Sequence, residues 1–208
     1  MFLVDWFYFT CFHLIRAILD LLIVVASPVL VFLYGQKQGS KNRSKFKAVL
    51  ITGGSDGLGA GLVQEFSKNE NVKTIIVTGT NEAKLQKLED VCKSSKKASE
   101  GRKIITKCVN VANEEEMKSF IDEMDKQHQI DLVIANAGVN ISTIKDVYYC
   151  NSVRDTVKTN ILGAMNVITP MIANFQERKK RGGHIAIIGD MQGYSSISYN
   201  GPYAGQTE

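Results

Sequence analysis

The chain has 208 residues, of which 44% are hydrophobic and 22% are charged, a composition typical of a folded domain and not of a disordered segment. Its formal net charge of +4 comes from a basic stretch over residues 36–47, and the residues after it sum to zero, which argues against a nucleic-acid-binding surface. The four cysteines form no Cys-x-x-Cys pair and the three histidines are scattered, so the sequence predicts neither a disulfide framework nor a metal site.

The first 35 residues are predicted to attach the chain to a membrane. Residues 1–35 are dense in Phe, Leu, Ile and Val, and Leu21–Tyr34 carries no charge. This uncharged stretch reaches the length of a spanning helix only when it is extended back past two charged residues, and Pro28 suits the tip of a hairpin, so both topologies stay open. The basic linker over residues 36–45 predicts that the domain formed by residues 46–208 faces the cytosol.

The next elements predict a site for an anionic phosphate. An apolar strand over Phe46–Ile51 leads into Thr52–Gly59, which reads TGGSDGLG, and a helix follows over Ala60–Asn69. This order of strand, glycine turn and helix points free backbone N–H groups and the positive end of the helix dipole toward a bound phosphate.

Three glycines of this motif have different expected roles. Gly53 permits the tight turn, Gly57 lets the backbone approach a pyrophosphate, and Gly59 lets the helix pack closely on its strand. The spacing Thr-Gly-x-x-x-Gly-x-Gly differs from the common G-x-G-x-x-G, so the motif gains its weight from the segments that follow it.

Strands and helices alternate along the rest of the chain. The predicted strands are Thr74–Thr78, Lys103–Val109, Leu132–Ala135 and His184–Gly189, and the predicted helices are Asn81–Ser95, Asn113–Gln127 and Val153–Phe175. The helix residues expected to face inward are Leu62, Val63, Phe66, Leu85, Leu88, Val91, Met117, Phe120, Ile121 and Met124. This alternation predicts an α/β fold with a parallel, doubly wound sheet, whose carboxyl edge carries Asn136–Ala137–Gly138 directly after the fourth strand.

These motifs, in this order, resemble the short-chain dehydrogenase/reductase family. The resemblance runs from about Phe46 to the chain end and rests on the glycine turn, Asn136–Ala137–Gly138, Asn160 in the long helix, Gly182–Ile185 at the fifth strand and Tyr203. With its apolar N-terminus, the chain is most similar to the membrane-anchored 3-ketosphinganine reductases of the endoplasmic reticulum. Membrane-anchored retinol, steroid and lipid-droplet dehydrogenases share the same plan.

The resemblance implies a Rossmann-type fold, hydride transfer with NAD(P), and roles for individual residues. Asn110 stands where the family has an aspartate that contacts adenine, although a strand-end turn residue is an equal interpretation. Asn160 is implied to hold a water of the proton relay, and Tyr203 to protonate the substrate oxygen while a nicotinamide delivers hydride. The implied cofactor-binding residues are Thr52, Gly53, Ser55, Asp56, Gly57, Leu58, Gly59, Thr80, Asn110, Val111, Asn136, Ala137 and Gly138.

The choice between NAD and NADP depends on the end of the second strand. An acidic residue there binds the ribose hydroxyls of NAD, whereas a basic residue binds the 2′-phosphate of NADP. Thr78–Gly79–Thr80 carries neither charge. Because no carboxylate repels the phosphate and the threonine hydroxyls are able to donate to it, NADP is the expected cofactor, with Asp56 and Glu82 counting against it.

Two positions depart from the pattern of the family. Thr207 occupies the lysine position of Tyr-x-x-x-Lys, and Asp190 occupies the position of a serine thirteen residues before the tyrosine. Without the lysine, Tyr203 is expected to keep the ordinary tyrosine pKa of about 10, and an ionised Asp190 accepts hydrogen bonds but donates none. The chain is therefore expected to be a poor or inactive catalyst, which leaves two functions open: a reductase of a lipid carbonyl such as 3-ketosphinganine, and an inactive protein that binds nucleotide or a partner.

Three further expectations follow from the resemblance. The fold usually continues beyond the tyrosine motif with a helix and two strands, so the domain is expected to be incomplete at Glu208. The long helix commonly forms a dimer face, which predicts a homodimer. The other expected partners are a lipid or another small-molecule carbonyl substrate and, through residues 1–35, the endoplasmic reticulum membrane, with the domain facing the cytosol.

Overall fold

The computed structural model describes residues 46–94, 101–140, 149–178 and 182–190. The predicted membrane anchor and the C-terminal positions Tyr203 and Thr207 lie outside these described residues. Among the described residues, no helix combines the length and the apolar character that crossing a bilayer requires.

Five parallel strands form one sheet in the described part of the chain. They are β1 (Ala48–Ile51), β2 (Thr74–Gly79), β3 (Lys103–Cys108), β4 (Leu132–Ala135) and β5 (His184–Ile187), and their order is β3-β2-β1-β4-β5. The helices are α1 (Gly57–Phe66), α2 (Glu82–Ser94), α3 (Glu114–His128), α4 (Tyr149–Thr156) and α5 (Gly163–Glu177). The chain moves outward from β1 in one direction and then continues from β4 in the other, so the predicted doubly wound parallel sheet is confirmed.

Alternate residues of the central strands build a separate core on each face of the sheet. Leu50 and Val133 pack with α3 and α5, whereas Ile51 and Ile134 pack with α1 and α2. The three central strands are buried on both sides, as expected of strands covered by helices on both faces. The two cores fix the strand positions, and therefore also fix where the strand ends meet at the carboxyl edge.

Local capping sets where several elements begin. The strand predicted from Phe46 begins at Ala48, because the Asp131 carboxylate accepts from the N–H groups of Lys47 and Ala48 at 2.6 and 3.1 Å. The helix predicted from Ala60 begins at Gly57, because the Asp56 carboxylate accepts from the Gly57 N–H at 2.8 Å and caps the first turn.

The inward positions of the helices are confirmed except for one. Val91 is 45% exposed, whereas its neighbour Cys92 is 1% exposed and packs in the core. Cys92 lies seven residues after Leu85, which is close to two full turns, so it shares the buried face of α2. The predicted N-terminal cap of α2 is confirmed, because the Asn81 side-chain oxygen accepts from the Lys84 N–H at 2.9 Å.

The long helix predicted over Val153–Phe175 is interrupted. A π-helical segment, Val157–Leu162, lies between α4 and α5, and α5 continues to Glu177. Where α5 begins, Gly163 lies so close to Val111 that an added Cβ would be 2.6 Å from the Val111 Cγ2. Single π-helical segments inside helices occur frequently at functional sites, and this segment carries Asn160.

Candidate functional site

An open cleft of about 580 Å³ lies at the carboxyl edge of the sheet, beside the N-terminus of α1. It sits at the ends of β1 and β4, where the strand order reverses and where open parallel sheets bind ligands. Its lining residues are Gly53, Ser55, Asp56, Gly57, Leu58, Gly59, Gly79, Thr80, Val109, Asn110, Val111, Asn136, Ala137, Gly138, Val139 and Thr159. Every cofactor-binding residue predicted from the sequence lines this cleft, except Thr52.

A hydrogen-bonded lock joins the turn after β1 to the turn after β4. The Thr52 hydroxyl accepts from the N–H groups of Asn136 and Ala137 at 3.1 and 3.2 Å. In return, the Asn136 side-chain amide donates to the carbonyl oxygens of Thr52 and Gly53 at 3.0 and 3.1 Å. Thr52 is 1% exposed, so it contributes to the cleft by holding Asn136 and Ala137 in place and not by contacting a ligand. We call Thr52, Gly53, Gly59, Asn136 and Ala137 the inner wall.

Three glycines of the motif have different structural roles. Gly53 has φ +63°, and an added Cβ would lie 2.6 Å from the Ala137 Cα. A Cβ on Gly59 would lie 2.2 Å from the Gly53 carbonyl oxygen, so the close packing predicted against the strand is made against the turn that follows it. Gly57 has φ +53° and nothing within 4 Å of an added Cβ, which leaves the N-terminus of α1 open to the cleft.

Polar and charged residues lie near the N-termini of α1 and α2: Ser55, Asp56 and Thr80 line the cleft, and Lys84 lies beside it. The Asp56 carboxylate lies 2.5 Å from the Lys84 ammonium on the first turn of α2. The hydrogen bond from Lys84, followed by the one from the Gly57 N–H, lowers the pKa of Asp56 below its ordinary value. Thr80 is exposed at the end of β2 and lines the cleft. We call Ser55, Asp56, Thr80 and Lys84 the outer wall.

One premise of the cofactor prediction is wrong. The Thr78 hydroxyl is fully buried, lies outside the cleft lining and has no hydrogen-bond partner. Because side chains alternate along a strand, Thr78 faces the core on the α3 and α5 side of the sheet. Of the two threonines at this strand end, only Thr80 is positioned to donate to a ligand in the cleft.

Of the two interpretations of Asn110, the structure confirms that of a turn residue. Its side-chain oxygen accepts from the Ala112 N–H at 3.0 Å, and its carbonyl accepts from the Asn113 N–H at 2.9 Å, which makes it a turn residue. It nevertheless lines the cleft together with Val111. The Asn166 side chain donates to the Val111 carbonyl at 2.9 Å and so ties this turn to α5.

Asn160 is bonded to the segment that leaves β4. Its side-chain oxygen accepts from the Val139 N–H at 2.8 Å, and its amide donates to the Val139 carbonyl at 3.0 Å. The cleft residue Gly138 lies next to this contact. Asp190 follows β5 at the same edge of the sheet and is half-buried, whereas Tyr203 lies outside the described residues.

Several residues of the site carried no clear signal in the sequence. Gly54 is required because an added Cβ would lie 2.3 Å from the Val77 Cγ1, a contact with a neighbouring strand. Position 79 is also crowded, since an added Cβ on Gly79 would lie 2.9 Å from the Ser55 hydroxyl oxygen. Lining residues missed by the sequence analysis are Gly79, Val109, Val139 and Thr159.

Comparison with known proteins identifies the family of the chain. Residues 47–205 match the family model described as short chain dehydrogenase. The chain belongs to this family. Short-chain dehydrogenases are oxidoreductases that use NAD(P), act on small-molecule substrates and are commonly oligomeric.

Individual relatives within the family are similarly distant from this chain. It is 30% identical to the 3-oxoacyl-acyl-carrier-protein reductase FabG of Rickettsia conorii over 153 residues, covering 72% of this chain and 56% of the relative. It is also 30% identical to the 3-dehydrosphinganine reductase TSC10B of Arabidopsis thaliana over 138 residues, covering 66% of this chain and 39% of the relative. The chain thus spans between about two fifths and three fifths of the length of these curated relatives.

Solved structures share the same architecture. The NADP-bound structure of ElxO superposes with a TM-score of 0.66 and 26% sequence identity, covering 78% of this chain and 62% of that one. Levodione reductase superposes with a TM-score of 0.68 at 18% identity, covering 77% of this chain and 60% of that one, and so supports the fold alone.

Proposed function

We propose that this chain is an NADP-linked oxidoreductase of a lipid carbonyl, such as that of 3-ketosphinganine, attached to the endoplasmic reticulum membrane by residues 1–35 with its domain in the cytosol. The 30% identity to the 3-dehydrosphinganine reductase TSC10B supports the substrate class, although the FabG relative is equally similar. The apolar N-terminus and its basic linker support the location.

The open N-terminus of α1 at the reversal point of the sheet is the observation that carries this proposal. The cleft fits a dinucleotide because Gly57 leaves the first turn of α1 free of a side chain, and because the inner wall holds the loop in one shape. In the proposal, the phosphates are held by backbone N–H groups within residues 53–59, apart from those of Gly54 and Gly57, which donate to the Thr78 carbonyl and the Asp56 carboxylate. The adenosine side is held by Thr80, Asn110, Val111, Asn136, Ala137 and Gly138.

The proposed reaction needs a proton as well as a hydride. The nicotinamide supplies or accepts the hydride when the cofactor is bound. Tyr203 is proposed to hold the proton that passes to the substrate oxygen, and Asn160 to position the water through which that proton is replaced. Asp190, at the carboxyl edge beside β4, is proposed to face the substrate in place of the family serine.

NADP is the proposed cofactor, and of the two threonines at the end of β2 only Thr80 now supports it. No carboxylate follows β2 directly, and the exposed Thr80 hydroxyl is positioned to donate to a 2′-phosphate. The NADP-bound structural relative ElxO is in accord with this choice.

A non-catalytic nucleotide-binding protein is the second candidate, and two substitutions favour it. Asp190 replaces a hydrogen-bond donor with an acceptor, and Thr207 replaces the lysine that lowers the tyrosine pKa. Alcohol oxidation, which needs the phenolate, is expected to suffer more than ketone reduction, which needs the neutral phenol.

Calorimetry and a turnover assay on the full chain in mild detergent separate the two candidates. NADPH is expected to bind, reduction of 3-ketosphinganine by the native chain is expected to be slow, and Asp190→Ser with Thr207→Lys is expected to raise the rate. Binding of NADPH without turnover in either form supports the non-catalytic candidate. Absence of heat with both NADPH and NADH contradicts both.

Self-association is proposed through the π-helical segment and α5. Ile161, Leu162, Met165 and Ile172 are 37–54% exposed there, which is unusual for large apolar side chains in one surface region. Light scattering of the full chain is expected to give the mass of a dimer, and Met165→Lys is expected to give the mass of a monomer. A monomer mass for the native chain contradicts this proposal.

A further inference from the structure

An exposed ion pair stands where the outer wall meets α2. The Lys84 ammonium and the Asp56 carboxylate are 2.5 Å apart, and their side chains are 52% and 71% exposed. Exposed ion pairs contribute little to folding stability, since water screens the charges and ordering two side chains costs entropy. The ion-pair interaction itself therefore adds little to folding stability, and both side chains are accessible to a ligand.

The pair lies where a substituent on the adenosine ribose would be recognised. In doubly wound sheets, the ribose hydroxyls reach the end of the second strand, and the pyrophosphate reaches the first helix. Asp56 caps that helix, and Lys84 lies four residues after Thr80, the cleft residue at the end of β2. Lys84 thus brings a cation to a strand end that carries no charge of its own.

A second groove gives an added phosphate room. It has a volume of about 240 Å³, lies between α1 and α2, and is lined in part by Lys84 and Lys87. Ser55 and Asp56 line both this groove and the main cleft, so the two spaces adjoin. In the proposal, a group that leaves the ribose in this direction enters the space beside the Lys84 ammonium and the Ser55 side chain.

The two members of the pair have opposite electrostatic effects on a bound phosphate. A phosphate monoester carries a charge of about −1.5 to −2 near neutral pH, so the Asp56 carboxylate repels it and the Lys84 ammonium attracts it. The ammonium has three N–H donors, so it is able to keep its hydrogen bond to Asp56 and also to donate to a phosphate oxygen. A ribose hydroxyl has no charge for Lys84 to attract, and is able to donate to Asp56.

We propose that the Asp56–Lys84 pair determines cofactor preference: Lys84 binds the 2′-phosphate of NADP, and Asp56 opposes that phosphate and favours NAD. This inference rests on the proposed function, since it concerns the same cleft. It assigns the preference to a residue on α2 instead of to the uncharged end of β2.

Calorimetric titration of the full chain in mild detergent with NADPH and with NADH tests the pair without an activity measurement. Lys84→Gln is expected to weaken NADPH about tenfold, the value of one charge-assisted hydrogen bond, and to change NADH less than about twofold. Asp56→Asn keeps a good helix cap and is expected to tighten NADPH and weaken NADH. Lys87→Gln, in the same groove, is the matched control and is expected to change NADPH less than about threefold.

The outcomes separate this inference from the proposed function. If native chain binds NADPH but Lys84→Gln binds it equally well, or loses NADPH and NADH alike, the inference is wrong and the proposed function stands. An equal loss for Lys84→Gln and Lys87→Gln also overturns the inference, since it shows a general charge effect. Absence of binding to either cofactor by the folded native chain overturns both.

Discussion

The two walls of the cleft are built on different principles. The inner wall is tightly packed: a Cβ on Gly53 or Gly59 would overlap backbone atoms, and the Asn136 side chain donates to two carbonyl oxygens at once. In the outer wall, the Asp56 and Lys84 side chains are exposed and already solvated by water. The inner wall is therefore constrained by packing, whereas the outer wall is able to change with the ligand, which is where we place the choice of cofactor.

Gly59→Ala should have the largest effect, because it acts on the most crowded point of the inner wall. Its Cβ would lie 2.2 Å from the Gly53 oxygen and 2.6 Å from the Asn136 side-chain nitrogen, both held in place by the lock. We expect a loss of about 2–3 kcal/mol in the free energy of unfolding and weaker NADPH binding, measured by denaturant titration and calorimetry.

Gly61→Ala is the matched control on the same helix. Nothing lies within 4 Å of its added Cβ, so we expect it to gain up to about 1 kcal/mol from helix propensity. Equal stability of the two variants would contradict the steric account of the inner wall.

Thr52→Val should have a smaller effect on the same wall. It removes the acceptor of the Asn136 and Ala137 N–H groups without changing the side-chain volume much. We expect a loss of about 2 kcal/mol in the free energy of unfolding, since two N–H groups lose their partner. Thr52→Ser keeps the oxygen and should lose clearly less; if both variants lose the same amount, methyl packing and not the hydroxyl stabilises the wall.

Glu89→Gln should have the smallest effect, on the helix that carries Lys84. Glu89 accepts from Lys93 at 2.5 Å and from Thr106 at 2.7 Å, and these hydrogen bonds lower its pKa. A lowered folded-state pKa gives stability that is present above the unfolded-state pKa and is lost as the pH falls through the folded-state pKa. We expect the native chain to be more stable than the variant by about 1 kcal/mol or less at pH 7, and this difference to shrink as the pH falls through the lowered pKa of Glu89.

Denaturant titration of both proteins from pH 7 to pH 3 measures this difference. Thr106→Val removes one of the two donors, so its pH dependence should lie between those of the native chain and Glu89→Gln. A pH-independent difference between native chain and Glu89→Gln would show that the carboxylate charge does not hold α2 to β3.

The fold was readable from the sequence wherever a residue's role depends on its neighbours along the chain. The five strands, the caps at Asn81 and Asn113 and the turn at Gly53 follow from local periodicity and turn chemistry. The predicted boundaries of these elements were less accurate, because the carboxylates of Asp56 and Asp131 decide where α1 and β1 begin.

What the sequence missed depends on contacts between distant residues. Position 54 requires glycine because Val77 on a neighbouring strand leaves no room for a side chain, and the Asp56–Lys84 pair joins positions 28 residues apart. The buried hydroxyl of Thr78 could not be told from the exposed one of Thr80 without knowing where β2 ends. The phosphate loop and most of the cleft lining were therefore predictable, whereas the contacts between distant residues were not.

Hydrogen exchange of the full chain, with and without NADPH, shows whether the dinucleotide occupies the cleft. If the cleft binds the dinucleotide, NADPH should slow amide exchange in peptides that cover residues 53–60 and 136–140, and leave the far ends of α3 and α5 unchanged. Saturating NADPH that protects neither of these two segments, or protects only residues elsewhere, would contradict the account.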